Sequence, residues 1–224
     1  MATKHRKIKI GVFDSGVGGL SIANYIEKHL PNVDVRFVND TKNVPYGDKP
    51  IDLVYSFVLP IIKKLEKDGC QVIVLACNTV TTNLIDDLRK VIKVPLVGLE
   101  PMVKSAAQQT QSKIVAICAT PATLASKRYV WLVDSFAKDV SILEPDCSNW
   151  SRMIESSEIN HKFIKKQIKE VCDAGADVIV LGCTHYHWIE EEIKIAAEGR
   201  ALVLQPEQSV ARRLTTVIDG LKIS

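Results

Sequence analysis

The chain has 224 residues, 46% of them hydrophobic and 25% charged, with a formal net charge of +3 at neutral pH. That is the composition of a globular protein able to bury one or two cores. So small a charge, with no basic patch interleaved with aromatics, argues against a nucleic-acid partner, and no apolar stretch approaches the roughly 20 residues of a membrane span. Met1 to Lys9, including the polar His5-Arg6-Lys7, carries no signal-peptide apolar segment, and a cytoplasmic location is expected. The six cysteines contain no Cys-x-x-Cys pair, which argues against a zinc framework, and a cytosolic chain keeps thiols reduced.

In chain order, Lys9 to Phe13 reads as a strand running into Asp14-Ser15-Gly16-Val17-Gly18-Gly19, followed by an amphipathic helix to about His29. Val33 to Val38 is a second strand. Asn39 to Lys49, containing Val44-Pro45-Tyr46-Gly47, is a loop, and Pro50 to Lys67 a helix ended by Asp68-Gly69. Gln71 to Ala76 is an unbroken, β-branched apolar run that stops at Cys77-Asn78-Thr79. Such a run marks a strand buried on both faces, the signature of a parallel sheet. A helix over Thr81 to Val91, a short strand over Val94 to Gly98 and a helix over Glu100 to Gln109 follow.

The pattern then restarts. Lys113 to Ile117 is a strand ending at Cys118-Ala119-Thr120-Pro121-Ala122-Thr123, with a helix behind it, and Val140 to Leu143 is another strand. Cys147 to Ile159 is irregular, a loop with a helical turn. A helix over His161 to Cys172 leads into Asp177 to Gly182, a second buried run stopping at Cys183-Thr184-His185. Ile189 to Ala197, its first turn rich in glutamate, is helical; Leu202 to Leu204 is a strand; Gln208 to Ile218 is a helix. Ile10 matches Ile114, Cys77 matches Cys183 and Pro101 matches Pro206, at offsets of 104, 106 and 105. The expected architecture is α/β: two similar βα, flavodoxin-like, parallel-sheet domains related by a pseudo-twofold, with a site between them. Residues 1–97 plus 206–224 form one domain and 98–205 the other.

Ligands of open α/β sheets gather beyond the carboxyl ends of the strands. Cysteines at two equivalent strand ends therefore face one ligand from opposite sides. One thiolate can remove a proton from a carbon while the other thiol delivers one to the opposite face, inverting a stereocentre without a cofactor. Asn78-Thr79 and Thr184-His185 supply donors for the charge that develops. Cys70, Cys118 and Cys172 read as small buried hydrophobes.

The blocks Asp14 to Gly19, Val44-Pro45-Tyr46-Gly47, Ala76-Cys77-Asn78-Thr79 and Gly182-Cys183-Thr184-His185-Tyr186 together resemble the signature blocks of the bacterial glutamate racemases, over nearly the whole chain from Ile8. The resemblance implies a cofactor-independent racemase making D-glutamate for peptidoglycan, with Cys77 and Cys183 as acid/bases and Asp14 and His185 assisting them. It implies that Asp14, Ser15, Pro45, Tyr46, Gly47, Asn78, Thr79, Thr184 and His185 contact the small acidic substrate, with Thr120, Thr123 and Glu155 as further contacts. It also implies a homodimer, no metal and no cofactor. The chain departs from the pattern at His187-Trp188-Ile189 and Gln205-Pro206-Glu207, and looks shortened between Tyr129 and Asn160.

Other readings carry less. Asp14 to Gly19 after a strand suggests a dinucleotide fingerprint, but Ser21 stands where the third glycine belongs; the glycines more plainly let the backbone approach a carboxylate. Cys77 with His185 makes too sparse a metal site. A non-catalytic binder of an acidic metabolite would not need an acid/base on each face, and aspartate and hydantoin racemases fit the first two blocks less well.

Overall fold

A computed structural model of the chain describes residues 7–222, so residues 1–6 of the polar leader lie outside the described range. Its first half runs β1 (Ile8–Asp14), α1 (Leu20–His29), β2 (Val33–Asn39), α2 (Ile51–Lys67), β3 (Val72–Leu75), α3 (Asn78–Val91) and β4 (Leu96–Gly98). The second runs α4 (Val103–Gln109), β5 (Ile114–Cys118), α5 (Pro121–Leu124), α6 (Lys127–Phe136), β6 (Ser141–Leu143), α7 (Trp150–Glu155), α8 (His161–Asp173) and β7 (Val178–Leu181). A 3-10 turn (Thr184–Ile189), α9 (Glu190–Ala197), β8 (Leu202–Leu204) and α10 (Glu207–Lys222) close the chain.

All pairings are parallel, and the two sheets have one topology: β2-β1-β3-β4 and β6-β5-β7-β8. Each sheet is covered on both faces, as its unbroken apolar strands require. In the first sheet, Phe13, Ile73 and Leu75 pack against Val58 and Ile62 of α2 and Leu84 and Leu88 of α3. Their neighbours Ile10, Val12, Val72 and Val74 face Ile22 and Ile26 of α1 and Val210 and Leu214 of α10. The last helix thus returns to the first sheet. In the second sheet, Ile179 and Leu181 meet Ile164 and Ile168 of α8, while Val115, Ile117 and Val180 meet Val103 of α4 and Leu132 of α6.

Strand register refines the repeat. Ile10 pairs with Val72 and Phe13 with Leu75, whereas Val115 pairs with Val178 and Cys118 with Leu181. With Val72 equivalent to Val178, the counterpart of Ile10 is Val115, one residue beyond the Ile114 expected from sequence. Matching bonds continue each ladder: Ala76 N–H donates to Phe13 O, and Gly182 N–H to Cys118 O, both at 2.7 Å.

Helix boundaries differ from expectation at the sites that matter most. The third helix starts at Asn78, directly after Cys77, because Cys77 keeps an extended backbone (φ −81°, ψ 117°) while its carbonyl already accepts from Thr81 N–H. The fourth starts only at Val103, beyond Pro101. The stretch after Cys183 is a 3-10 turn, with α9 following from Glu190. The irregular Cys147 to Ile159 contains α7, held by the fully buried Trp150, whose indole N–H donates to Gln167 Oε1 at 2.9 Å. Among the described residues no helix is long and apolar enough to cross a membrane.

Candidate active site

Both cysteine strands end at one narrow cavity with a free volume of about 10 Å³. It is lined by Ser15, Pro45, Tyr46, Gly47, Cys77, Asn78, Thr79, Thr120, Ser151, Cys183, Thr184 and His185. Cys77 comes from the end of β3 and the N-terminus of α3. Cys183 follows β7 and opens the 3-10 turn. Larger clefts lie elsewhere on the surface, one of them between Glu100, Arg128, Trp131 and Arg213, but none of them is lined by a cysteine. Cys70, Cys118, Cys147 and Cys172 are free, buried thiols away from this lining.

The two sulfurs have different partners. Cys77 Sγ lies 3.4 Å from Ser15 Oγ. Burial, then the Asp14 carboxylate, push its thiol up to about 12, while Ser15 and the Val80 amide pull the other way. Cys183 Sγ lies 3.6 Å from His185 Nδ1. His185 Nε2 is in turn 2.6 Å from Glu155 Oε1. Burial works against a charged imidazole, yet the bonds to Cys183 and Glu155 outweigh it and raise His185 well above its ordinary range. Glu155 is lowered by the same His185 bond. His185 and Glu155 therefore form an imidazolium–carboxylate pair beside Cys183.

Asp14 does not line the cavity. It lies fully buried beneath the glycine loop, where Oδ2 accepts from Gly19 N–H at 2.8 Å and Gly16 N–H at 3.3 Å, and Oδ1 accepts from Thr184 Oγ1 at 3.2 Å. Desolvation raises its carboxyl above the ordinary value, against the opposing pull of His185 and these donors. The loop's next amide, Val17 N–H, donates to Glu155 Oε1 at 3.1 Å. The glycines do let backbone approach carboxylates, but those of the protein's own Asp14 and Glu155. A methyl group at Gly18 would come within 2.5 Å of the Thr184–His185 backbone, so the turn must be this bare to pass under the second half.

The donors after each cysteine also divide. Both polar atoms of the Asn78 side chain are buried and unpartnered, an arrangement that costs free energy unless a ligand supplies the bonds. Thr79 Oγ1 bonds Thr120 Oγ1 across the two halves at 2.9 Å, and Thr120 donates to Thr123 at 3.0 Å. Thr123 lies behind this pair, outside the cavity wall, and Glu155 acts through His185 and not from the lining. Sequence reading missed Ser151 of α7, which lines the cavity from within the irregular stretch. It also missed Asp40, whose carboxylate accepts from Tyr46 Oη at 2.6 Å and from Asn43 and so shapes the loop bearing Pro45, Tyr46 and Gly47. Its place at the mouth of a turn-rich loop after β2 was the available signal.

With that geometry in hand, comparison places the chain among known proteins. The family model described as Asp/Glu/Hydantoin racemase matches residues 22–214. A glutamate racemase of Pseudomonas putida (strain GB-1) is 35% identical over 220 residues, covering 96% of this chain and 83% of the relative. Another, from Ralstonia pickettii (strain 12J), is 32% identical over 99% of this chain and 81% of its own. The crystal structure of Escherichia coli glutamate racemase, in complex with L-glutamate and the activator UDP-MurNAc-Ala, superposes with a TM-score of 0.87 at 28% identity, over 95% of this chain and 83% of that one. The chain belongs to the Asp/Glu/Hydantoin racemase family, a family of isomerases, and has the two-domain α/β fold of its solved members.

Proposed function

We propose that this protein interconverts L- and D-glutamate by a two-base proton transfer at the α-carbon, with Cys77 and Cys183 as acid/bases and no cofactor. The single observation that carries the proposal is that cysteines from equivalent strand ends line one small cavity. Substrate bound between them loses its α-proton to one thiolate and gains a proton from the other thiol. Because the α-proton is a weak acid, charge passes onto the carboxylate and needs fixed donors. The unpartnered Asn78 amide, with the Ser15 and Thr79 hydroxyls beside it, suits that task. Pro45, Tyr46 and Gly47 complete the lining, with Tyr46 held by Asp40.

The helper groups serve the sulfurs unequally. His185, held as imidazolium by Glu155, can pass a proton to or from Cys183. Cys77 has the neutral Ser15 hydroxyl and the Val80 amide as partners, with the Asp14 carboxyl buried nearby; Asp14 assists through Thr184 and the glycine loop. In this reading Asp14, Glu155 and Thr123 are positioning residues. The names of the relatives favour glutamate as substrate.

The same reading makes residues 1–97 with 206–224 one domain and 98–205 the other, and the packing of α10 on α1 supports it. It makes the protein a cytoplasmic homodimer that supplies D-glutamate for peptidoglycan. The decisive assay follows the optical rotation of purified protein with D- and L-glutamate, with D- and L-aspartate as controls. Loss of rotation with glutamate supports the proposal; binding without loss of rotation would leave a non-catalytic receptor.

A further inference from the structure

The cavity is too narrow for an amino acid, with a free volume of about 10 Å³. Tyr46, Cys77 and Cys183 are 2%, 5% and 8% exposed, so substrate reaches the sulfurs only if the walls part. Two lips flank it, Gly47 on the loop of residues 40–50 and Ser151 on α7, and both line the cavity. The residue after each is charged. Arg152 Nη2 donates to Asp48 Oδ2 at 2.7 Å, and the two side chains are 63% and 33% exposed, which puts the pair on the outer side of the lips.

Each lip is stiff on its own body. α7 is pinned by the buried Trp150 and Ile154, and the loop by Asp40 N–H, which donates to Asp14 O at 3.3 Å, and by Tyr46, which packs in the core with Phe13 and Val54. Among the described residues, Asp48–Arg152 is the one hydrogen bond joining residues 40–50 to residues 98–205. Gly47 also packs close there: a methyl group on it would come within 2.9 Å of Thr120 Cβ.

We infer that Asp48 and Arg152 form a latch across the entrance, which breaks to admit substrate and re-forms above it. An exposed ion pair suits the role, because it is weak enough to open thermally and is screened by salt. The inference rests on the cavity being the substrate site, but its test needs no turnover.

The test is alkylation by iodoacetamide at fixed pH, read separately at Cys77, Cys183 and the buried control Cys70 by peptide mass. Asp48→Asn and Arg152→Gln should each speed alkylation of both cavity thiols about two- to five-fold, the range set by an exposed ion pair. The double variant should react no faster than either single, and the reversed pair Asp48→Arg/Arg152→Asp should return toward the parent rate. Added salt should speed the parent and leave the single variants unchanged. Unchanged rates in the singles, additive effects, or equal acceleration at Cys70 would each overturn the latch. Failure of the racemase reading would show separately, as absence of D/L interconversion by the parent protein.

Discussion

The Cys77 and Cys183 sides of the cavity are built on one strand plan and finished with different chemistry. By strand register, Asp14 corresponds to Ala119 and Ser15 to Thr120, while Asn78 corresponds to Thr184 and Thr79 to His185. The repeat therefore yields two sulfurs but not two copies of their helpers. Only the first half carries a buried carboxyl at the strand end, and only the second carries an imidazole two residues beyond its cysteine. Repetition gives the near-symmetry that inversion of one carbon needs. The unmatched residues set how each sulfur holds its proton.

Removing either sulfur tests the shared part. Cys77→Ser and Cys183→Ser should each lower racemisation by at least about a thousand-fold, near the upper range of acid–base contributions. Chiral chromatography of glutamate over time measures this, and near-parental turnover in either variant would break the equivalence of the two sides. The unshared part appears in thiol reactivity. With the Cys77 thiol pushed up to about 12, its thiolate fraction at neutral pH is small and rises about ten-fold per pH unit. Its alkylation should follow that slope from pH 7 to 10; a plateau inside this range would contradict the assigned environment.

Glu155→Gln sharpens the comparison from the other side. It should cut turnover about 100-fold and shift the basic limb of the kcat profile to lower pH, because His185 loses the partner that keeps it charged. Stability should follow linkage. The raised His185 contributes stability present below its unfolded pKa of about 6.5 and lost as pH rises through its folded value. The lowered Glu155 contributes stability present above about 4.5 and lost as pH falls through its folded value. The variant should thus be destabilised most near pH 5 to 6, by about 3 kcal/mol, with the difference shrinking toward pH 3; denaturant melts across that range measure it. A smaller effect is expected at Asn78→Ala. It should raise KM about ten-fold while leaving the melting temperature equal or higher, because it deletes an amide that has no partner in the unliganded protein.

Much of the fold was legible because buried parallel strands leave unbroken β-branched runs, and two such runs each ended in cysteine. The repeat was legible for the same reason, although register shifted Ile10 onto Val115, since apolar runs carry little positional information along a strand. Single-residue roles were less visible. Asp14 and Thr184 both looked like substrate contacts, but Thr184 donates to Asp14, and the glycine-loop amides donate to carboxylates of the protein. Which hydrogen bonds are already taken depends on contacts between residues up to 170 positions apart, and local pattern does not record them. Ser151 was hidden because α7 is a single short helix held by one buried tryptophan, with too few turns for periodicity.

The most direct test of two sulfurs acting on one carbon is a single enantiomer of glutamate turned over in D2O and sampled early. Two bases predict that the newly formed enantiomer carries deuterium at the α-carbon while the remaining starting enantiomer keeps its protium. Product that retains the original α-hydrogen would mean one group moved it from face to face, and would contradict the account.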